Sequence, residues 1–291
     1  MRYRPFNQAG LTVSAITLSL DDTPMTHAER LALIYAALES GVNSFELAST
    51  APEVTKDLRA AIEAVGRDVL VLTLHLDAFA MTSGKALDQA ALDAQVWAAL
   101  DGLGVARLDA ILLDEPAQPG QSHAMISALH RLKMDGAVNM IGLAGPGGSV
   151  ETHILSGAID VFATPFGLES GAGERKRMNA AAVRQITVLG YGYDECLLTA
   201  ASPPEEAKGL ARLFKKPPSK VAGVYDFLRA VPGWAADEVA LAFALTEPAI
   251  ASMRVQTTSI TQLELLAAAV ERPLPVGVAA QIEMARLAAP T

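Results

Sequence analysis

The sequence switches eight times between a short apolar run and an amphipathic helical pattern, and this alternation leaves few ways for the chain to fold. Val13–Leu20 reads as a strand and Thr26–Ser40 as a helix, with Leu31, Ile34, Tyr35 and Leu38 at the i, i+3, i+4, i+7 spacing of one apolar stripe. Thr26 and Glu29 have capping-box spacing, and Gly41 stands where a helix-ending glycine belongs. The same unit then recurs as strand Val42–Leu47 with helix Glu53–Val65, and as Val69–Leu76 with Asp88–Leu100. Leu108–Leu113 pairs with Ser122–Met134, Val138–Ala144 with a short helix from Ser149, and Ile159–Ala163 with Glu174–Arg184. Ile186–Tyr191 is followed, after a long irregular stretch, by Ala235–Leu245, and Ala249–Val255 by Ser259–Ala269.

Strands such as Val69–Leu72 and Ala110–Leu113 are unbroken apolar runs, as a parallel sheet covered on both faces requires. Eight such units in 291 residues, with no domain linker, predict a single (β/α)8 TIM barrel spanning 1–291 rather than an open sheet. Hydrophobic residues make up 51% of the chain and charged ones 19%, which excludes global disorder. The net charge of −9 excludes the electrostatic footprint of a non-specific nucleic-acid binder. No apolar run approaches the roughly 18 residues of a membrane span, and no apolar signal region follows Met1. One cysteine, Cys196, permits no internal disulfide. A cytoplasmic protein is expected.

Several segments carry a more specific likeness. They include Met1–Phe6, Gly10–Ser14, Ala37–Asn43, Leu100–Val105 with Leu108–Leu113, Leu129–Lys133, Gly136 with Ile141 and Gly142, and Ala240–Leu245. In this order they resemble the aldo-keto reductases over nearly the whole chain. The resemblance implies a barrel of that type and an Asp–Tyr–Lys–His tetrad, in which tyrosine protonates a carbonyl oxygen while a nicotinamide delivers hydride. Free tyrosine has a pKa of about 10, so lysine and aspartate must lower it. Carried onto this chain, the Asp position is Glu46, the Tyr position Ala51 or Pro52, the Lys position Leu74 and the His position Asp114. All four are replaced, and no catalytic residue of the family type is expected. His75 follows Leu74 and, by strand alternation, is expected to face the helices.

The resemblance also places a cofactor site. The Ser-Asn after strand five reads Ala144-Gly145 and the glutamine of strand six reads Ala163. Tyr191 and Gly192 end strand seven, Tyr191 being either a ring platform or core packing. After strand eight, Arg254, Gln256, Thr257, Thr258, Ser259 and Gln262 surround a helix start that either holds an anion or is a plain cap. No arginine stands at the 2′-phosphate position, which favours NAD(H) over NADP(H). Glu46, Asp114 and Glu115 bring carboxylates to the barrel mouth as acid–base groups, as ligands of a hard metal, or as salt-bridge partners of Arg254. No metal site is expected, and His27, His123, His130 and His153 are expected at the surface. Lys208, Arg212, Lys215, Lys216 and Lys220 form a basic stretch beside Phe214, Tyr225, Phe227 and Trp234, which are expected to pack over the mouth.

A degenerate, acidic, alanine-rich chain of this kind resembles the KidO-type oxidoreductase homologues of alphaproteobacteria. That resemblance implies an NAD(H)-binding regulator of cell division and cell fate. Its partners would be the tubulin-like division GTPase and a sensor histidine kinase. The competing expectation is an active, divergent NAD(P)H-dependent reductase of aldehydes, ketones or quinones with a replaced proton donor, Tyr191 or a carboxylate.

Overall fold

The computed structural model describes residues 1–6, 10–77, 89–115, 122–148, 150–195, 197 and 223–288. Strands β3 (Ile16–Leu20), β4 (Ser44–Leu47), β5 (Val71–Leu76), β6 (Leu108–Asp114), β7 (Val138–Ala144), β8 (Val161–Pro165), β9 (Thr187–Tyr191) and β10 (Ile250–Val255) are all parallel. They close in sequence order, with β10 pairing to both β3 and β9. Helices α1 (His27–Glu39), α2 (Pro52–Val65), α3 (Gln89–Leu103), α4 (Ser122–Met134), α5 (Val150–Ser156), α6 (Ala172–Val183), α7 (Ala236–Ala244) and α8 (Ile260–Glu271) alternate with the strands, and α9 (Val278–Ala288) follows. The expected (β/α)8 barrel is therefore the observed one. No helix among the described residues is long and apolar enough to cross a membrane.

Strand alternation divides the core into two compartments. Leu72, Leu74 and Leu76 of β5 belong with the residues packed between sheet and helices. Val71, Ala110, Leu112, Met140, Val161, Ala163 and Leu189 fill the barrel interior. Gly142 is required where it stands, because a Cβ there would lie 2.2 Å from the Val161 carbonyl oxygen and 2.8 Å from Leu112. Towards the mouth the interior turns polar, and Thr17 Oγ1 lies 2.7 Å from both Ser44 Oγ and Ser252 Oγ.

Three local expectations change. The run Val13–Leu20 is two strands, since Ala15 separates β2 (Thr12–Ser14) from β3. β2 pairs antiparallel with β1 (Tyr3–Pro5), and Phe6 and Val13 plug the barrel interior. Helix α1 has the expected capping box at Thr26, but its buried face is Arg30, Leu33, Ile34, Ala36 and Ala37, and Tyr35 is exposed. Arg30 turns inward because the buried Asp57 of α2 accepts its hydrogen bond at 2.8 Å. Helix α9 has no counterpart in the sequence reading; its buried contacts reduce to Val278 and Ile282, too few to show a period. Cys196, Phe214 and the basic stretch from Lys208 to Lys220 lie outside the described residues. Tyr225 is buried and donates to the Leu168 carbonyl at 3.0 Å, beyond the C-terminal end of β8.

Candidate functional site

In a parallel barrel, side chains at the C-terminal strand ends converge on one mouth. Here four of them form a charge cluster, buried at Glu46 and His75 and open to solvent at Asp114. Glu46 and His75 lie next to the last residues of β4 and β5, Asp114 ends β6, and Arg254 comes from β10. His75 Nε2 lies 2.8 Å from Asp114 Oδ1, and His75 Nδ1 lies 3.5 Å from Glu46 Oε1. Arg254 Nη1 donates to Glu46 Oε1 at 3.1 Å and lies 3.1 Å from His75 Nδ1. Ser19 Oγ adds a 3.2 Å hydrogen bond to the same carboxylate.

This corrects the expected orientation of β5. His75 faces the interior, and Leu74, the expected lysine position, faces the helices. The leucines at 72, 74 and 76 form one face of the strand and Val71, Thr73 and His75 the other. Burying the leucine face against the helices keeps polar atoms out of that layer. The even spacing of those leucines separates the two faces in the sequence, and their packing against the helices decides which face looks inward. Ala51 stands at the start of α2, and its side chain carries no hydroxyl.

The electrostatics follow from the charge count. Two carboxylates face one guanidinium, so a proton on the imidazole neutralises the cluster. Burial pushes the His75 pKa down, but the hydrogen bonds and charges of Asp114 and Glu46 outweigh it and raise it to about 9. Burial likewise pushes the Glu46 carboxyl up, and His75 and Arg254 together hold it down at about 2. Of the readings open for these carboxylates, Glu46 is the salt-bridge partner of Arg254. Glu115 is turned elsewhere, accepting from the Gly147 and Val150 amides at 3.1 Å each. Among the described residues no group of three or more His, Cys, Asp or Glu side chains could hold a metal ion. His153 is a further correction: it is buried, in edge contact with His123 at 5.4 Å between ring centres, and burial lowers its pKa. His153 packs against His123 of α4, a neighbour that seven residues of sequence could not reveal.

Beside the cluster opens a cleft of about 560 Å³. Tyr191, Gly192, Arg254, Gln256, Thr257, Thr258, Ser259 and Gln262 all line it. Ser259 caps α8, accepting from the Gln262 amide at 3.3 Å. Thr257 Oγ1 accepts from the Ser259 amide at 3.0 Å and donates to Gln262 Oε1 at 2.6 Å. Gln262 Nε2 in turn donates to Asp237 at 3.2 Å, and Gln256 donates to Asp21. The loop before α8 is thus held rigid by its own side chains. The first-turn amides of Ile260 and Thr261 have no carbonyl partner within the helix. Gly192 takes φ +69°, turning the chain sharply away from Tyr191. The Arg254 guanidinium stacks on the Tyr191 ring at 4.7 Å. Burial pushes the Tyr191 hydroxyl up to about 12 despite that cation, so it is poorly suited to giving or losing a proton near neutrality.

The sequence matches no family model and no curated protein. Among solved structures, it is similar to the aldo-keto reductase AKR11C1 from Bacillus halodurans. The holo form matches with a TM-score of 0.77 at 17% identity, covering 98% of this chain and 96% of that one. The apo form gives 0.73 at 18% identity with the same coverage. The fold is that of the aldo-keto reductases.

Proposed function

We propose that this protein is an NAD(H)-binding barrel of aldo-keto reductase type that lacks the tyrosine-centred chemistry and acts as a regulator through protein contacts. The observation that carries the reading is the convergence of all eight expected cofactor residues on one cleft, while Ala51, at the position where the resemblance puts tyrosine, has no hydroxyl. The donor set fits a dinucleotide. The capped N-terminus of α8 and the Thr257 and Thr258 hydroxyls suit a pyrophosphate, and Tyr191 with Arg254 forms a platform at the barrel axis. When bound, the nicotinamide would supply redox chemistry, and these residues would hold and orient it. The described cations lining the cleft, Arg30 and Arg254, are both engaged by carboxylates, Asp57 and Glu46. Neither is left for a 2′-phosphate, which supports NAD(H) over NADP(H).

Calorimetric titration tests this directly. NADH is expected to bind in the micromolar range, with NADPH at least roughly tenfold weaker, a difference of about 1.4 kcal/mol. No heat up to millimolar NADH would overturn the reading. The proposed partners are the tubulin-like division GTPase and a sensor histidine kinase, on the sequence likeness to KidO-type regulators. Co-elution of the purified protein with either partner, strengthened by NADH, is the expected result. Separate elution from both, with and without NADH, would remove the regulatory half of the reading.

A further inference from the structure

The N-terminal end of the barrel, away from the mouth, holds a second large cavity. Strand β1 and the starts of β9 and β10 enclose a groove of about 530 Å³ there, a volume within the range of small-molecule sites. Its walls are mostly apolar, with Pro5 and Phe6 from the hairpin, Ile186 and Val188 at β9, and Pro248 and Ile250 at β10. Side-chain hydrogen bonds tie the hairpin to both strands. Thr187 Oγ1 donates to the Phe6 carbonyl. Arg4 donates to the carbonyls of Leu245 at 2.7 Å, Glu247 at 3.3 Å and Ile250. The groove is therefore preformed.

Its charge sets it apart from the cofactor cleft. Asp21, Asp194 and Glu195 line the cleft, whereas among the described residues lining the groove Arg4 alone is charged. The cleft arginines Arg30 and Arg254 each face a carboxylate. Arg4 is partly buried, and its partners among the described residues are neutral carbonyls, which leaves Nε and one hydrogen of Nη2 to donate. The Glu247 carboxylate is turned to Arg175 instead, at 3.5 Å. Burial and the charge of Arg2 hold the Arg4 pKa below its ordinary value, although Glu247 pulls the other way. Arg2 and Arg184, close by in the chain to Arg4 and Gln185, likewise donate to backbone carbonyls, those of Glu271 and Ala180. A chain of net charge −9 thus keeps a positive, apolar groove. One wall is also strained. Helices α1 to α5 are each closed by a glycine of positive φ, Gly41, Gly66, Gly104, Gly136 and Gly157, but α6 is closed by Gln185 at φ +62°. That conformation disfavours a side chain, and here it sets an amide on the groove wall.

We propose that this groove binds a medium-chain carboxylate, with the alkyl chain on Phe6, Ile186 and Ile250 and the carboxylate paired with Arg4. The charge selects the class. A carboxylate supplies the counter-ion that the partly buried guanidinium lacks, through charge-assisted hydrogen bonds. An alcohol of the same length would leave Arg4 uncompensated, and an alkylammonium would meet a like charge. The groove borders the starts of β9 and β10 and the cofactor cleft their ends, so the two sites are separate and this one does not depend on NAD(H).

The test uses the full chain with three probes, sodium octanoate, 1-octanol and octyltrimethylammonium. Calorimetry is expected to show one octanoate per chain with a dissociation constant of about 200 µM or tighter. 1-Octanol is expected to bind at least about tenfold more weakly, and octyltrimethylammonium to give no heat. In methyl NMR with octanoate, Ile186 and Ile250 are expected to shift while Thr257 and Thr258, in the cofactor cleft, stay in place. Arg4→Gln is expected to weaken octanoate at least about tenfold. Ala182→Trp, at an exposed lining position, fills the groove without touching the Arg4 hydrogen bonds. It is expected to abolish the octanoate heat and covers the case in which Arg4→Gln does not fold. Equal affinity for octanoate and 1-octanol would overturn the assignment, as would methyl shifts confined to the cleft. So would octanoate binding by Ala182→Trp within about threefold of wild type, or no heat up to about 5 mM octanoate. The NADH titration decides the cofactor reading separately.

Discussion

A Leu74→Lys variant is expected to lose the folded state. Aligned by motif alone, position 74 is where the tetrad lysine belongs, and restoring it would seem to repair the site. Leu74 is instead fully buried between β5 and the helices, in a layer shared with Leu72 and Leu76. An ammonium placed there would have to lose its charge, distort the strand or draw water into the core. The cost is expected to exceed about 4 kcal/mol, a large share of the roughly 5–15 kcal/mol that holds a typical domain together. His75→Lys, by contrast, would place its ammonium beside Glu46 and Asp114 and is expected to cost less than about 2 kcal/mol. Urea unfolding of the two variants checks the pair. A stable Leu74→Lys protein would mean that β5 faces the other way.

The second large effect concerns Glu46. Glu46→Ala leaves Arg254 and a protonated His75 facing each other at 3.1 Å without their shared carboxylate. Breaking a buried pair by removing one partner costs about 3–5 kcal/mol, and that loss is expected at pH 6. Adding Arg254→Met is expected to restore part of it, because the remaining imidazole and Asp114 still form a matched pair. The pH dependence has a definite sign. His75 binds its proton more tightly folded than unfolded, so its contribution is complete below about pH 6.5 and fades as pH rises through about 9. Glu46 holds its proton less tightly, so its contribution is complete above about pH 4.5 and fades as pH falls towards about 2. The cluster therefore stabilises the wild type most between roughly pH 4.5 and 6.5, by an amount on the order of 3 kcal/mol. Unfolding free energies measured from pH 4 to 10 should decline on the alkaline side in wild type and less steeply in Glu46→Ala, where Asp114 alone still holds the proton on His75. Parallel curves would show that the imidazole is not charged by this carboxylate.

These two predictions turn on one strand that the sequence left ambiguous. In β5 every residue from Val71 to Leu76 except Thr73 and His75 is apolar, so the residue types alone did not say which face looks inward. The motif placed lysine at 74, and alternation counted from there turned His75 outward. The leucine face decided otherwise. The cofactor cleft was more legible, since its residues fall in two continuous segments, Tyr191–Gly192 and Arg254–Gln262, each directly after a strand. A strand end fixes where such a segment emerges, and closing the barrel brings β9 beside β10. The burial of His153 and of Arg30 was not legible either: each is polar and sits in a helix, and only a residue of a neighbouring helix, His123 of α4 for His153 and Asp57 of α2 for Arg30, accounts for its inward position.

The sequence by itself determined the architecture. Eight apolar runs alternating with amphipathic helices, with no linker between them, favour a closed parallel barrel over an open sheet, because each strand must be covered on both faces and each helix on one. It also determined which chemistry is absent at position 51, where no folding can supply a missing hydroxyl. Only the tertiary structure decided which chemistry is present. Glu46, His75, Asp114 and Arg254 are separated by up to 208 residues along the chain, and their charges interact strongly only within a few ångströms of one another and out of water. Closure of the barrel between β10 and β3 brings Arg254 to Glu46, and strand alternation brings His75 between the two carboxylates.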